Sequence, residues 1–319
     1  MNYLNNAMSR SLASLVLFAI VLLPLSVSAG DVSSQKSSAA AGIGQVLYYD
    51  IKDLGTLGGN SSFARAINNA GQITGNANVP NGRLHAYIWE NGMMQDLGFL
   101  PNGTEFSRGF YLNAQGVVTG ESDNNASKVF IFDPSVGTMS ALVDLVTSNP
   151  DNMRIVGGFG AGINDNGQIV GSMSRLLEPS GSVVRGFKFD SGTVRDLGSI
   201  DGQINTFARA WGINNNGTAV GVSRTVNNSS HATRWENGTA TDLGSLGGDL
   251  AFSEAFRINE SGQIVGRSTV AVGVTGQNAV VWENGTIRDL GRLSGVNFGR
   301  ANDINEHGFI VGTSSQFEG

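Results

Sequence analysis

Three arginines, Arg108, Arg209 and Arg300, occupy one recurring slot, four positions ahead of an aliphatic-Asn pair. Phe63, Phe159 and Glu254 fill the same slot elsewhere, and two positions further on come Phe110, Trp211 and Phe256. A guanidinium fork grips a carboxylate or sulfate with two parallel hydrogen bonds, and an aromatic face stacks on a sugar ring. Arg108, Arg209, Arg300, Trp211, Phe110 and Phe256 are therefore the candidate ligand-binding residues, with an acidic glycan or a peptide carboxylate as the ligand. The competing use of these arginines is internal: they neutralise Glu254 or neighbouring carboxylates and relieve crowding.

Other chemistries find less support. The chain repeats, so a residue present at the same slot in several units is structural; one reaction needs only one copy. His85 and His231 share a slot and read as packing or hydrogen-bonding residues. Asp53, Asp96, Asp144, Asp196, Asp242 and Asp289 read as acceptors of backbone hydrogen bonds at a turn. His307 has Asp303 and Glu306 near it, but His307 and Glu306 fill exposed turn positions rather than converging on an ion. The Gly-Gly-x-Gly-x-Asp calcium repeat is absent, leaving Asp165 and Asp249 as isolated oxygen donors. No G-x-S-x-G elbow is present, so a serine nucleophile has no visible seat. Several Asn-x-Ser/Thr matches, Asn237 and Asn284 among them, are Asn-Gly turns followed by Thr. Catalytic residues, metal and cofactor are all expected to be none. Non-repeated acids such as Glu105, Glu121, Asp201 and Glu254 keep a glycan hydrolase or lyase at the channel mouth as the alternative function.

The slot is defined by a repeat. An aliphatic residue, Asn, two variable residues, Gly, three residues and Gly recur six times, starting at Ile67, Leu112, Ile163, Ile213, Ile258 and Ile304. Asn at the turn entry bonds its own backbone two residues on, and the first Gly supplies positive φ, giving strand, tight turn, strand. Asp-Leu-Gly follows at Asp53, Asp96, Asp196, Asp242 and Asp289, with a degenerate Asp-Leu-Val at Asp144. An aromatic residue before Glu-Asn-Gly, at Trp89, Trp235 and Trp282, marks a second hairpin through the Asn-Gly turn. Each unit then holds four short strands in about 44 residues, the sequence mark of a propeller blade. The expected fold is all-β: a β-propeller of about six four-stranded blades. A small residue three positions before each motif, from Ala64 and Gly109 to Ala301, suits strands crowded about an axis. The chain enters on a lone strand, Val46–Leu54, and leaves on a pair, Ala301–Thr313; these are expected to share a blade and close the ring.

Composition sets the setting. Residues 1–29 have a basic residue (Arg10), an apolar run from Leu12 to Leu25, and Val27 and Ala29 before Gly30, the three parts of a secretory signal. Residues 30–43 read as a flexible linker and 44–319 as one repeat domain. The apolar run is short for a span of ~20 residues, so no membrane insertion of the mature chain is expected. There is no cysteine, which excludes disulfides and thiolate metal sites. The net charge of −6, with no basic stripe, argues against nucleic acid as a partner. A monomer is expected, exported to the periplasm, the cell surface or beyond.

The stretches DLGTLGGNSSFARAINNAGQITG (53–75), LHAYIWENGMMQDLG (84–98) and HATRWENGTATDLGSLGG (231–248) carry a resemblance. In them the chain resembles the HAF-repeat family of bacterial extracellular proteins, named for a His-Ala-Phe tripeptide that reads His85-Ala86-Tyr87 and His231-Ala232-Thr233 here. The resemblance covers residues 45–315 and implies an extracellular location and no particular reaction. The sequence therefore reads as a secreted or cell-surface, non-catalytic binding module.

Overall fold

The computed structural model describes residues 18–20, 51–101, 103–123, 127–153, 156–177 and 181–316. It is a β-propeller with five complete four-stranded antiparallel blades and a two-stranded remnant of a further one. Blade 1 runs β2 (Ser62–Ile67), β3 (Ile73–Asn78), β4 (Leu84–Glu90) and β5 (Met93–Asp96). Blade 2 runs β6 (Ser107–Leu112), β7 (Val118–Asp123), β8 (Ser127–Phe132) and β9 (Met139–Ala141). Blade 3 runs β10 (Val156–Ile163), β11 (Ile169–Leu176), β12 (Ser182–Asp190) and β13 (Thr193–Asp196). Blade 4 runs β14 (Ala208–Ile213), β15 (Ala219–Arg224), β16 (Ser230–Glu236) and β17 (Thr239–Asp242). Blade 5 runs β18 (Ser253–Ile258), β19 (Ile264–Thr269), β20 (Gln277–Glu283) and β21 (Thr286–Gly291). The hairpin β22 (Phe298–Ile304) and β23 (Ile310–Ser315) follows. Among the described residues the helical structure is a single 3-10 turn, Leu142–Leu145, which stands where Asp-Leu-Gly has degenerated to Asp-Leu-Val.

Two expectations are corrected here. Among the described residues the count of complete blades is five, because the last aliphatic-Asn motif forms the turn of the hairpin β22–β23, with no third or fourth strand of its own beside it. The closing strand also differs. Ile51–Leu54 forms no strand and Ile51 is fully exposed, while Val46–Asp50 lies outside the described residues. The strand beside β23 is β1 (Phe18–Ile20), within the segment expected to be the export signal. The signal cleavage region and the linker also lie outside the described residues.

The repeated residues earn their places. The first Gly of every motif has positive φ, from 75° at Gly167 to 83° at Gly262. Asn91, Asn237 and Asn284 each take a φ of about 50° ahead of a positive-φ Gly, which gives the primed hairpin turn the sequence called for. Trp89, Trp235, Trp282, Phe132 and Phe189 are buried as the outer core of their blades. The second Gly has a separate cause. A Cβ on Gly75, Gly120, Gly171, Gly221, Gly266 or Gly312 would run into the carbonyl oxygen of the slot residue on the facing strand. That close approach belongs to a β-bulge, which each innermost strand carries at the same place, at Arg65, Phe110, Ala161, Trp211, Phe256 and Asn302, with a second irregularity at Gly157 on β10.

Candidate functional site

The bulges build the site. A bulge adds one residue to one strand and re-aims its side chain. All six bulged residues (Arg65, Phe110, Ala161, Trp211, Phe256 and Asn302) line one cavity of about 980 Å³ on the propeller axis. Small residues three before each motif make this possible: a Cβ at Gly109 or Gly160 would collide with the hydroxyl of Thr74 or Thr119 on the preceding blade. Each innermost strand is thereby drawn against its neighbour, and the bulge turns its next side chain inward.

Aromatic rings form a continuous arc along the wall. Phe110 meets Phe159 edge-on at 5.8 Å, Phe159 stacks on Trp211 at 5.4 Å, and Trp211 meets Phe256 at 6.4 Å. Guanidinium groups cap the arc, with Arg65 over Phe110 at 4.9 Å and Arg300 over Phe256 at 4.0 Å. Arg209 sits over Phe159, Phe207 and Trp211 at 5.3 to 5.6 Å. Cation–π contact of this kind holds a cation in place without neutralising it.

The sequence reading brought together most of this site. Arg108, Phe110, Trp211, Phe256 and Arg300 line the cavity; Arg209 lies beside it over the arc, and Phe256 is buried beneath Arg300. Phe63, from the same slot, is largely exposed. Arg65, Arg257, Asn302 and Asp303 also line the cavity and were missed. The slot two positions on from the arginines was read for its aromatics alone, yet the same spacing leads to Arg65 and Asn302. Arg257 and Asp303, one position before their motifs, had no signal in the sequence.

One of the three arginines forms an ion pair, and the other two feel Glu254 only at longer range. Arg108 pairs with Glu121 at 3.1 Å. Glu254 is buried, accepting from Trp211 Nε1 at 2.8 Å and pairing with Arg267, which stands on β19 outside the slot. Among the described residues no carboxylate lies within ion-pair distance of Arg209 or Arg300, and the buried Nε of each has no hydrogen-bond partner. Burial, and then the charge of Arg267, pulls the Arg300 guanidinium down to about 10 against the opposing pull of Glu254, leaving it charged at neutral pH. Burial lowers Arg209 as well, against the opposing pull of Glu254. Asp303 faces Arg257 at 4.0 Å, yet burial still raises its carboxyl above the ordinary carboxylate value. The cavity lining thus holds four arginines against two carboxylates, in a chain whose net charge is −6.

The shared-slot residues are structural, as their repetition requires. His85 donates from Nδ1 to Asp96 at 2.8 Å, and His231 to Asp242 at 2.9 Å. Arg185 and Asn278 occupy the same slot and reach Asp196 and Asp289 at 2.9 and 2.8 Å. Each of these aspartates also accepts from the Gly two residues on, which closes the Asp-Leu-Gly turn. Glu306 accepts from the backbone N–H of Glu260, so this acid caps a neighbouring turn.

No family model matches the chain, and no curated protein matches it. Solved structures similar to it include the β-propeller domain of the trilobed protease from Pyrococcus furiosus, at TM-score 0.44 and 11% identity over 70% of this chain and 64% of that one. TolB from Acinetobacter baumannii is similar at TM-score 0.47 and 13% identity, over 77% of this chain and 64% of that one. A lectin from Aleuria aurantia in complex with Fucalpha1-6GlcNAc is similar at TM-score 0.39 and 15% identity, over 80% of this chain and 96% of that one. The chain therefore spans less than two thirds of the length of the first two, 64% in each case.

Proposed function

We propose that this protein is an exported, monomeric, non-catalytic binding module that takes an anionic ligand in its axial cavity. One observation carries the reading: Arg209 and Arg300 are largely desolvated, held over aromatic rings, and have neither a carboxylate within ion-pair distance nor an Nε partner. A buried donor without an acceptor costs about 1–3 kcal/mol, and a bound anion removes that cost. The volume of about 980 Å³ suits a ligand of a few rings, since such sites run to about 1,000 Å³. The acidic balance of the whole chain repels anions elsewhere and leaves the cavity as their seat. The sequence resemblance to an extracellular repeat family supports the exported location.

The test is a binding screen of the exported chain against acidic and neutral glycans and carboxylate-terminated peptides, with mass spectrometry of each retained probe. Retention of acidic probes, unchanged in mass, is expected. Retention of neutral probes alone would overturn the anion site, and a cleaved probe would overturn the non-catalytic role in favour of a hydrolase or lyase.

A further inference from the structure

Arg300 and Asn302 stand two residues apart on β22, and both line the cavity. Each has a buried polar atom without a partner, the donor Nε of Arg300 and the acceptor Oδ1 of Asn302. A ligand that satisfies both needs an anionic acceptor and a hydrogen-bond donor close enough together to reach two side chains of one strand. An acidic pyranose has this form, with its charged group at one edge of the ring and hydroxyls across it. From the proposed anion-binding function, on which this step rests, we infer that the ligand is an acidic sugar unit, its anionic group on Arg300 and a ring hydroxyl donating to Asn302.

Two further features favour a sugar over a peptide. An extended peptide can bind by adding a strand to an exposed sheet edge. All six innermost strands are bulged at the cavity, which interrupts the ladder such a peptide would need. The wall beside Arg300 is aromatic, running from Phe256 to Trp211 and on to the stacked Phe159. Flat apolar faces next to unpaired polar groups suit a ring whose faces carry C–H bonds and whose edge carries hydroxyls. Arg65, Arg108 and Arg257 add positive charge around the same space.

Calorimetric titration of the exported chain with five probes tests the assignment: a uronate trisaccharide, a sulfated trisaccharide, their neutral counterpart, glutarate, and a short peptide ending in a free carboxylate. The acidic trisaccharides are expected to bind at least tenfold tighter than the neutral sugar and than glutarate, and whichever binds tighter identifies the anionic group as carboxylate or sulfate. Arg300→Gln should weaken acidic sugar and glutarate alike. Asn302→Ala should weaken the acidic sugar about tenfold, the loss of one hydrogen bond to a buried group, and leave glutarate unchanged. Asn302→Ser, which keeps an acceptor, should restore part of the loss, and melting curves confirm that each variant folds. Glutarate or the peptide binding as tightly as the acidic sugars would overturn the sugar assignment while leaving the anion site standing. So would an Asn302→Ala variant that binds acidic sugar like the parent. Failure of every anionic probe to bind would overturn both.

Discussion

At the scale of single residues, the motif asparagines do more than shape a turn. Asn164 accepts from the backbone N–H groups of Asn166 and Gln168 and donates from Nδ2 to the carbonyl of Asn214 on the next blade at 2.8 Å. The same donation runs from Asn68 to Asn113, Asn113 to Asn164, Asn214 to Asn259 and Asn259 to Asn305. Asn164→Ala leaves several of these groups buried and unmet, at about 1–3 kcal/mol each. It should lower stability by at least about 3 kcal/mol in urea unfolding, whereas Asn305→Ala, at an exposed position, should cost well under half of that. The buried tryptophans belong to the same scale: Trp235→Ala should cost ~3–5 kcal/mol, read from the same unfolding curves. The turn bond of each asparagine was legible in the sequence because it is local. Its bond to the next blade was not, because nothing within the nine residues says what lies beside them.

The His231–Asp242 pair gives a pH dependence with a definite sign. Burial pulls His231 down, but the hydrogen bond and charge of Asp242, with help from the Ala251 carbonyl, outweigh it and leave the imidazole above its ordinary value. Burial also pushes Asp242 up, and its bonds from His231 and Gly244 outweigh that and hold it low. A raised histidine contributes stability below its unfolded pKa of about 6.5 and loses it as pH rises through the folded value. A lowered aspartate contributes above its unfolded value of about 3.9 and loses it on acidification. The pair therefore supports the fold most strongly between about pH 4 and 6.5. Melting temperature should fall as pH rises through neutrality, and His231→Gln should flatten that slope; an unchanged slope in the variant would assign it to other groups.

At the scale of elements, the unit of construction is an innermost strand with one bulge. The strand, the Asn-Gly hairpin and the Asp-Leu-Gly turn were readable because each rests on residues adjacent in the chain. The bulge was written in the second Gly of every motif, but its meaning depends on the carbonyl of the facing strand, which sequence spacing does not reveal. The inward aim of Arg65 and Asn302 comes from the bulge too, although their spacing matches that of Phe110, Trp211 and Phe256. Gly221→Ala would drive a methyl group against the Arg209 carbonyl and should either unfold blade 4 or shift its bulge. The expected outcome is a lowered melting temperature together with changed Trp211 fluorescence; a stable variant with native fluorescence would mean that the bulge does not need the glycine.

At the scale of the whole molecule, the last hairpin is packed differently from the five blades. Thr74, Thr119, Val170, Val220 and Val265 hold one slot on the second strand of each blade and are 0% exposed, whereas Val311 in the same slot of β23 is 43% exposed. On the facing side Phe63 and Ile67 are 60% and 65% exposed, so among the described residues the faces of the last hairpin and blade 1 are not packed together as neighbouring blades are. Six motif copies were visible in the sequence, but whether the last becomes a blade depends on strands outside the motif. Elements with few buried neighbours open first, so amides of β22 and β23 should exchange with solvent faster than those of β14 and β15 in hydrogen-exchange mass spectrometry. Equal protection would show that the junction is closed in solution.

The central claim, that the axial cavity is an anion site, is tested most directly by titrating a uronate oligosaccharide into the parent chain and into a triple Arg108→Gln, Arg209→Gln, Arg300→Gln variant. Hydrogen bonds to charged groups contribute about 1.5–3 kcal/mol each, so the variant should bind at least a hundredfold more weakly. The parent should also lose affinity when salt is raised to about 1 M, where the screening length falls to ~3 Å. A triple variant that melts like the parent and binds the oligosaccharide as tightly, with no dependence on salt, would contradict the account.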